Sequence, residues 1–195
     1  MKLFHSPTSP FARKVMACAI ARGVEDRITL VPASGEGEEL TAANPLGKLP
    51  CLITDDGVAL FDSRVICEFL DTESNVFPMF PDHGLRFRAL RLQALADGIS
   101  AAAVLRRGEQ GRPTEEARSA VIAVQKAKVE RSLDVLETDP PGKHVDIGSI
   151  AVACALGYLD LRFASEPWRE SHPKLAAWYE AIMEHPCLSK TKPAA

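Results

Sequence analysis

Lys2-Leu-Phe-His-Ser-Pro-Thr-Ser-Pro-Phe-Ala-Arg-Lys-Val15 joins a short apolar run to an apolar helix through a turn of hydroxyls and prolines, the pattern of a β-turn-α unit. Residues 2–5 read as a strand. Ser6-Pro-Thr-Ser-Pro10 then turns the chain into a helix over 11 to about 22, and Gly23 ends it in the manner of a left-handed C-cap. Residues 28–31 supply a second strand, so the opening is β-α-β, which pairs its strands in parallel through a right-handed crossover. A polar loop over 34–39 and a short helical piece follow. Two apolar runs, 51–54 and 58–60, are joined by Asp55-Asp56-Gly57, a hairpin signal. A third helix is expected over 63–72.

The order β-α-β-α-β-β-α is that of a thioredoxin-like domain, whose small sheet needs helices on both faces. Residues 75–85, with Pro78 and Pro81, cannot form continuous helix, because proline removes a donor and restricts the residue before it. Everything beyond reads as helical. Leu85, Ala89, Leu92, Ala96 and Ile99 recur at helical spacing on one face. Pro113 is expected to open a further helix with Val129, Leu133 and Leu136 on its buried side, stopped by Pro140-Pro141-Gly142. Ser149 begins an all-round apolar segment through Phe163, the mark of a buried helix, and Pro173 starts a last helix ending before Pro186. The fold class is therefore α/β plus all-α: a thioredoxin-like domain over 1–76, a linker over 77–85 and an all-helical domain over 86–195.

The 195 residues suffice for two domains sharing a large interface. Apolar stretches are broken by charges well short of a membrane span, and no export signal opens the chain. A net charge of -3 with scattered Lys and Arg gives no footprint for nucleic acid. The five cysteines, Cys18, Cys51, Cys67, Cys154 and Cys187, are odd in number and lack Cys-x-x-Cys spacing, which reads as reduced thiols in a cytoplasmic protein with no metal site.

Ser9-Pro-Phe-Ala-Arg-Lys-Val15, Asn44-Pro-Leu-Gly-Lys-Leu-Pro50 and Phe61-Asp-Ser63 occur in the order and at the spacing of the glutathione transferase N-terminal domain. Ser149-Ile-Ala and His172-Pro-Lys-Leu-Ala-Ala-Trp178 through His185-Pro186 are similar to its C-terminal domain. The chain thus resembles the glutathione S-transferase family over nearly its whole length, with a serine/cysteine-type N-terminal motif.

The resemblance implies glutathione as co-substrate. Glutathione presents two carboxylates, an amine, two peptide groups and a thiol. Leu49-Pro50 is implied to carry a cis proline that leaves the Leu49 backbone free to pair with the cysteinyl peptide as an added strand would. Asp62 and Ser63, at the start of the third helix, meet the γ-glutamyl group, where free N–H groups and the helix dipole favour an anion. Lys48 reaches toward the glycyl carboxylate, and Phe11 belongs to the first motif beside the thiol. Taken alone, Asp62 and Ser63 are also ordinary helix caps, Lys48 an ordinary surface lysine and Pro50 an ordinary trans proline.

Some family members activate the thiol with an early tyrosine, but the two tyrosines here, Tyr158 and Tyr179, fall deep in the helical domain. Ser9 occupies the place of the cysteine in Cys-Pro-Phe variants and is the expected activator. It also suits a plain N-cap before a first-turn proline, and Thr8 and Ser6 are rival hydroxyls. His5 at the strand end is a further polarising candidate. Cys51, on an apolar strand, reads as an inert buried thiol.

The implied activity is attack of a glutathione thiolate on a hydrophobic electrophile, as in detoxification. The alternatives are a non-catalytic binding or regulatory protein, or a glutathione-dependent isomerase, dehalogenase or peroxidase. Ile99, Val104, Arg107 and Glu109 are candidates for the electrophile pocket. A homodimer is implied, with Asp97 reaching the partner subunit's γ-glutamyl group. One departure stands out: the family's acid three residues after the residue opening the buried helix is replaced here by Val152, leaving half a capping box, with Asp146 as the available substitute.

Overall fold

Leu3 and Phe4 point to opposite faces of the first strand, and each face finds its own cover. The computed structural model describes residues 1–33, 37–82 and 84–193. In it β1 (Lys2–His5) is central, pairing in parallel with β2 (Thr29–Pro32) and antiparallel with β3 (Cys51–Ile53); β4 (Ala59–Leu60) completes the order β2-β1-β3-β4. Leu3 enters the main core with Val15 of α1 (Pro10–Arg22) and Ile66 of α3 (Ser63–Thr72). Phe4 packs with Cys51 and with Leu40 of α2 (Glu38–Ala43) on the other face. The expected thioredoxin-like layer is present. Gly23 ends α1 at φ 66°, and Gly57 turns the hairpin at φ 84°. The polar loop expected over 34–39 lies partly outside the described residues, and its last two residues, Glu38 and Glu39, instead begin α2.

The remainder is helical: α4 (Gly84–Gln110), α5 (Glu116–Thr138), α6 (Ile147–Arg162), α7 (Pro173–Ile182) and the short α8 (Pro186–Ser189). Residues 147–159 of α6 are all buried, as an all-round apolar helix must be. Gly148 lets α6 approach α4 closely, since a Cβ there would lie 2.7 Å from the Ala89 carbonyl oxygen. That contact marks where α6 begins, and Leu85, one turn farther back on α4, is left 64% exposed rather than buried. Pro113 does not open α5, which starts three residues later at Glu116; α7 is followed by one further helical turn, α8. None of the helices among the described residues is long and apolar enough to cross a membrane.

The buried helix starts two residues before Ser149 and its capping box is complete. Asp146 is the N-cap: its Oδ1 accepts from the Ser149 N–H at 2.8 Å, while Ser149 Oγ accepts from the Asp146 N–H at 2.9 Å. Ser149 therefore fills the third helical position, where the family pattern places the acid, and the acid has moved to the cap.

Three cations on α1 are buried, at 6% exposure for Arg13, 1% for Lys14 and 2% for Arg22, and each meets a different element. Arg13 donates to the carbonyls of Ala153 and Leu188, in space that exists only because position 157 is glycine. Lys14 pairs with Asp97 of α4 at 2.6 Å. Arg22 pairs with Asp71 at 3.0 Å and donates to the carbonyls of Ser74, Val76 and Phe77. Asp146→Ala removes the cap and is expected to lower the unfolding free energy by about 1 kcal/mol, with Asp146→Asn close to the parent, as read by urea denaturation.

Candidate functional site

Ser9 caps α1 in extended conformation. Its Oγ accepts from the Ala12 N–H at 3.2 Å and its carbonyl from the Arg13 N–H at 3.0 Å. Accepting uses a lone pair and leaves the hydroxyl hydrogen to be donated elsewhere. The Phe11 N–H, in the first turn of the helix, has no hydrogen-bond partner among the described residues. Ser6 and Thr8 are close by, but their hydroxyl oxygens lie 3.4 Å apart and serve one another.

The second segment is organised by Asn44, a buried residue. Its Nδ2 donates to the Lys48 carbonyl at 2.8 Å, its Oδ1 accepts from the Leu46 N–H at 3.1 Å, and Gly47 at φ 60° reverses the chain between them. The loop so held presents Lys48, exposed and without an ion-pair partner among the described residues, and then Leu49-Pro50. The Leu49-Pro50 peptide is cis, as expected, and the Leu49 backbone makes no hydrogen bond among the described residues. At the third segment Asp62 caps α3, its Oδ1 accepting from the Arg64 N–H at 2.9 Å, and Ser63 is buried behind it. The Phe61-Asp62 peptide is also cis.

These three segments converge on one cleft of about 720 Å³, lined by Ser9, Phe11, Lys48, Leu49, Pro50, Asp62 and Ser63, the residues expected to meet glutathione. Its far wall is Ala101, Val104 and Leu105 of α4 with Tyr158 of α6. The sequence reading of that wall needs correction. Val104 lines it, but Arg107 is exposed and outside the lining, Ile99 is buried in the core, and Glu109 is paired with Arg112 and Arg118. Asp97 has both carboxylate oxygens engaged within its own chain, by Lys14 at 2.6 Å and Arg64 at 2.8 Å.

Tyr158 was missed as a site residue: it is far along the chain, yet α6 packs against α1 and α4 and brings it to the cleft. The signal available was a tyrosine in an otherwise apolar helix with Arg162 four residues on. Burial raises the Tyr158 pKa against the opposing pull of Arg162 and Arg107, so the phenol keeps its proton at neutral pH. His5 does not line the cleft, and burial lowers its pKa, leaving a neutral imidazole. A smaller cavity of about 270 Å³ lies between α4, α5 and the segment after α6, where Glu166 already holds both Arg106 and Lys126.

A sequence profile of the glutathione S-transferase N-terminal domain matches residues 8–73, and one of the C-terminal domain matches residues 95–181. The GST-like protein YibF of Escherichia coli (strain K12) is 34% identical over 99% of this chain and 98% of its own length. The chain belongs to the glutathione S-transferase family. A family member from Pseudomonas fluorescens Pf-5, crystallised with bound glutathione, superposes with a TM-score of 0.94 at 41% identity, covering 100% of this chain and 99% of its own. A structure of a Pseudomonas fluorescens Pf-5 family member with bound S-(propanoic acid)-glutathione gives 0.90 at 42%, with 100% of both chains covered. The transferase of Methylobacillus flagellatus KT with glutathione bound gives 0.87 at 39%, covering 99% of each.

In this family member no cysteine is placed to react. All five are buried; burial raises the thiol of Cys51, beside Pro50, and pushes Cys154 up to about 11 and Cys187 up to about 12. The Cys18 thiol is held up by its hydrogen bond to Cys67 and by burial. The native protein at pH 8 is therefore expected to leave an aromatic disulfide reagent almost unreacted, while denaturant releases all five thiols.

Proposed function

We propose that this protein binds glutathione in the cleft and activates its thiol for attack on an electrophile held against α4 and α6. The observation that carries this reading is the convergence of two capped helix starts and the unpaired Leu49 backbone on a single cleft with an apolar far wall. Each matches one part of glutathione. The unpaired Leu49 N–H and C=O suit the cysteinyl peptide. The start of α3 suits the γ-glutamyl carboxylate, with Asp62 beside the amine, and the free ammonium of Lys48 suits the glycyl carboxylate. Glutathione-bound relatives at 39–41% identity support the same ligand. The S-(propanoic acid)-glutathione complex supports a cleft with room for a substituent on sulfur.

The sulfur then lies by Ser9. A thiol of pKa about 8.5 is only a few per cent ionised at pH 7, and lowering it by two units needs about 2.7 kcal/mol of preference for the thiolate. A hydroxyl donating to the anion supplies about 1.5 to 3 kcal/mol, and a helix N-terminus with a free N–H such as that of Phe11 adds about 0.3 to 1. The two suffice. In the reaction the sulfur lone pair forms a bond to the electrophilic carbon, the leaving group departs with its electron pair, and the thiol proton passes to solvent.

A homodimer is part of this reading. The Arg86–Glu68 pair brings the start of α4 beside α3, and Val65, Leu85 and Phe87 on those two helices are exposed apolar side chains suited to burial against a second copy. Sedimentation is expected to give a dimer that charge substitutions at Leu85 and Phe87 dissociate; a parent monomer overturns this element.

Retention on immobilised glutathione and conjugation of an aryl halide are the expected results, and no glutathione binding at millimolar concentration overturns the proposal. Ser9→Ala is expected to lower kcat/KM about ten- to a hundredfold, with Ser9→Thr retaining most activity because it keeps both cap and hydroxyl. Asp62→Ala is expected to weaken glutathione binding about tenfold. Binding without turnover over a broad electrophile panel favours a non-catalytic role.

A further inference from the structure

α6 lies alongside α4 and runs in the same sense: Gly148 is against Ala89 and Leu92 near the starts of both helices, and farther along Tyr158 comes beside Ala101, Val104 and Leu105. That group is the helical wall of the cleft. Ala101, Val104 and Leu105 offer it only carbon, so the Tyr158 hydroxyl is the one polar side-chain group on that wall. The charged side chains lining the cleft, Lys48 and Asp62, belong to the segments that suit glutathione.

Tyr158 is 6% exposed, yet its oxygen is not sealed, and the open space it lines is the cleft. No acceptor within the chain takes its hydrogen among the described residues. Arg162 and Arg107, which act on the phenol, carry donors only and lie outside the lining. A buried tyrosine ordinarily finds a partner for its O–H, so this hydrogen is left for what fills the cleft. A permanent charge on that occupant would be desolvated against carbon with no counter-charge on the wall, which is costly. The occupant that fits is neutral, mostly carbon, and carries an oxygen acceptor. A fixed donor in such surroundings acts most strongly on an oxygen that gains charge during the reaction.

We propose that Tyr158 is a catalytic residue for conjugate addition: its hydroxyl donates to the carbonyl oxygen of a neutral enal or enone whose carbon skeleton lies along Val104 and Leu105, with its β-carbon toward the glutathione sulfur. This rests on the cleft holding glutathione. The thiolate lone pair forms the bond to the β-carbon, the alkene pair moves between the α-carbon and the carbonyl carbon, and the carbonyl pair passes to oxygen. There the Tyr158 hydrogen meets the developing charge. Solvent then protonates the α-carbon and the carbonyl re-forms, so the proton lost by the thiol is matched by one gained on carbon and no group leaves. Displacement at an alkyl halide differs in this respect: the charge departs on the halide, and the hydroxyl has no oxygen to serve.

The test compares benzylideneacetone, an enone, with benzyl chloride, which has no oxygen, in the same preparations of the full chain. The parent is expected to conjugate the enone. Tyr158→Phe removes only the hydroxyl, and is expected to lower kcat for the enone about ten- to a hundredfold while changing that for benzyl chloride by less than about twofold. Glutathione affinity by calorimetric titration and the urea midpoint are expected to match the parent, which separates lost chemistry from lost fold. Ser9→Ala is expected to lower both rates alike, because both reactions use the same thiolate. Equal losses on the two electrophiles in Tyr158→Phe, an enone rate that the substitution leaves unchanged, or a parent that binds glutathione without conjugating the enone overturns the inference and leaves glutathione binding standing. Absence of glutathione binding overturns the proposed function itself, and the inference with it.

Discussion

The burial of three cations along α1 is the constraint on which the arrangement of the whole chain depends. An unpaired charge in an apolar interior costs several kcal/mol even after relaxation, so α1 can be buried only where partners for Arg13, Lys14 and Arg22 are all in reach. Those partners come from α6 and α8, from Asp97 in the middle of α4, and from the end of α3 with the segment after it. One helix thereby fixes the sheet layer against the helical layer at three points. Its first residues, Ser9 and Pro10, are carried to a defined place at the edge of α4 and α6, and that place is the cleft.

The same economy governs the cleft itself. Helix starts are short of acceptors, and in α1 and α3 a side chain satisfies one N–H, while the Phe11 N–H of α1 has no partner among the described residues. Asn44 does the corresponding work for the loop, using both ends of its amide to hold the chain that presents Lys48 and Leu49. Structural and ligand-facing roles are thus divided between atoms of the same residue rather than between residues. Ser9 shows it most directly: the oxygen belongs to the helix and the hydrogen is left over.

Much of this was legible in the sequence, because the N-terminal layer is built from local signals. Ser9-Pro10, Asp55-Asp56-Gly57 and Asp62-Ser63 each specify their own geometry, and the elements between them appear within a residue or two of their expected bounds. The far wall was not legible, because it depends on how two long helices rotate about each other. Ile99 continues the apolar stripe of α4 into the core, whereas Val104, one residue off that stripe, faces the cleft. Tyr158 sits in a helix buried on every side, where pattern alone gives no facing. Asp146 escaped for a different reason: cap and third helical position exchanged acid and hydroxyl, and the reciprocal bonds survive that exchange.

The buried thiols bear on the chemical setting in which this fold can work. Thiol–disulfide exchange needs an accessible thiolate, and here all five cysteine sulfurs are covered. While the chain is folded, oxidised glutathione finds no sulfur on it to attack or to be attacked by. A disulfide in the surroundings therefore meets a fold whose thiols become available only when the chain opens.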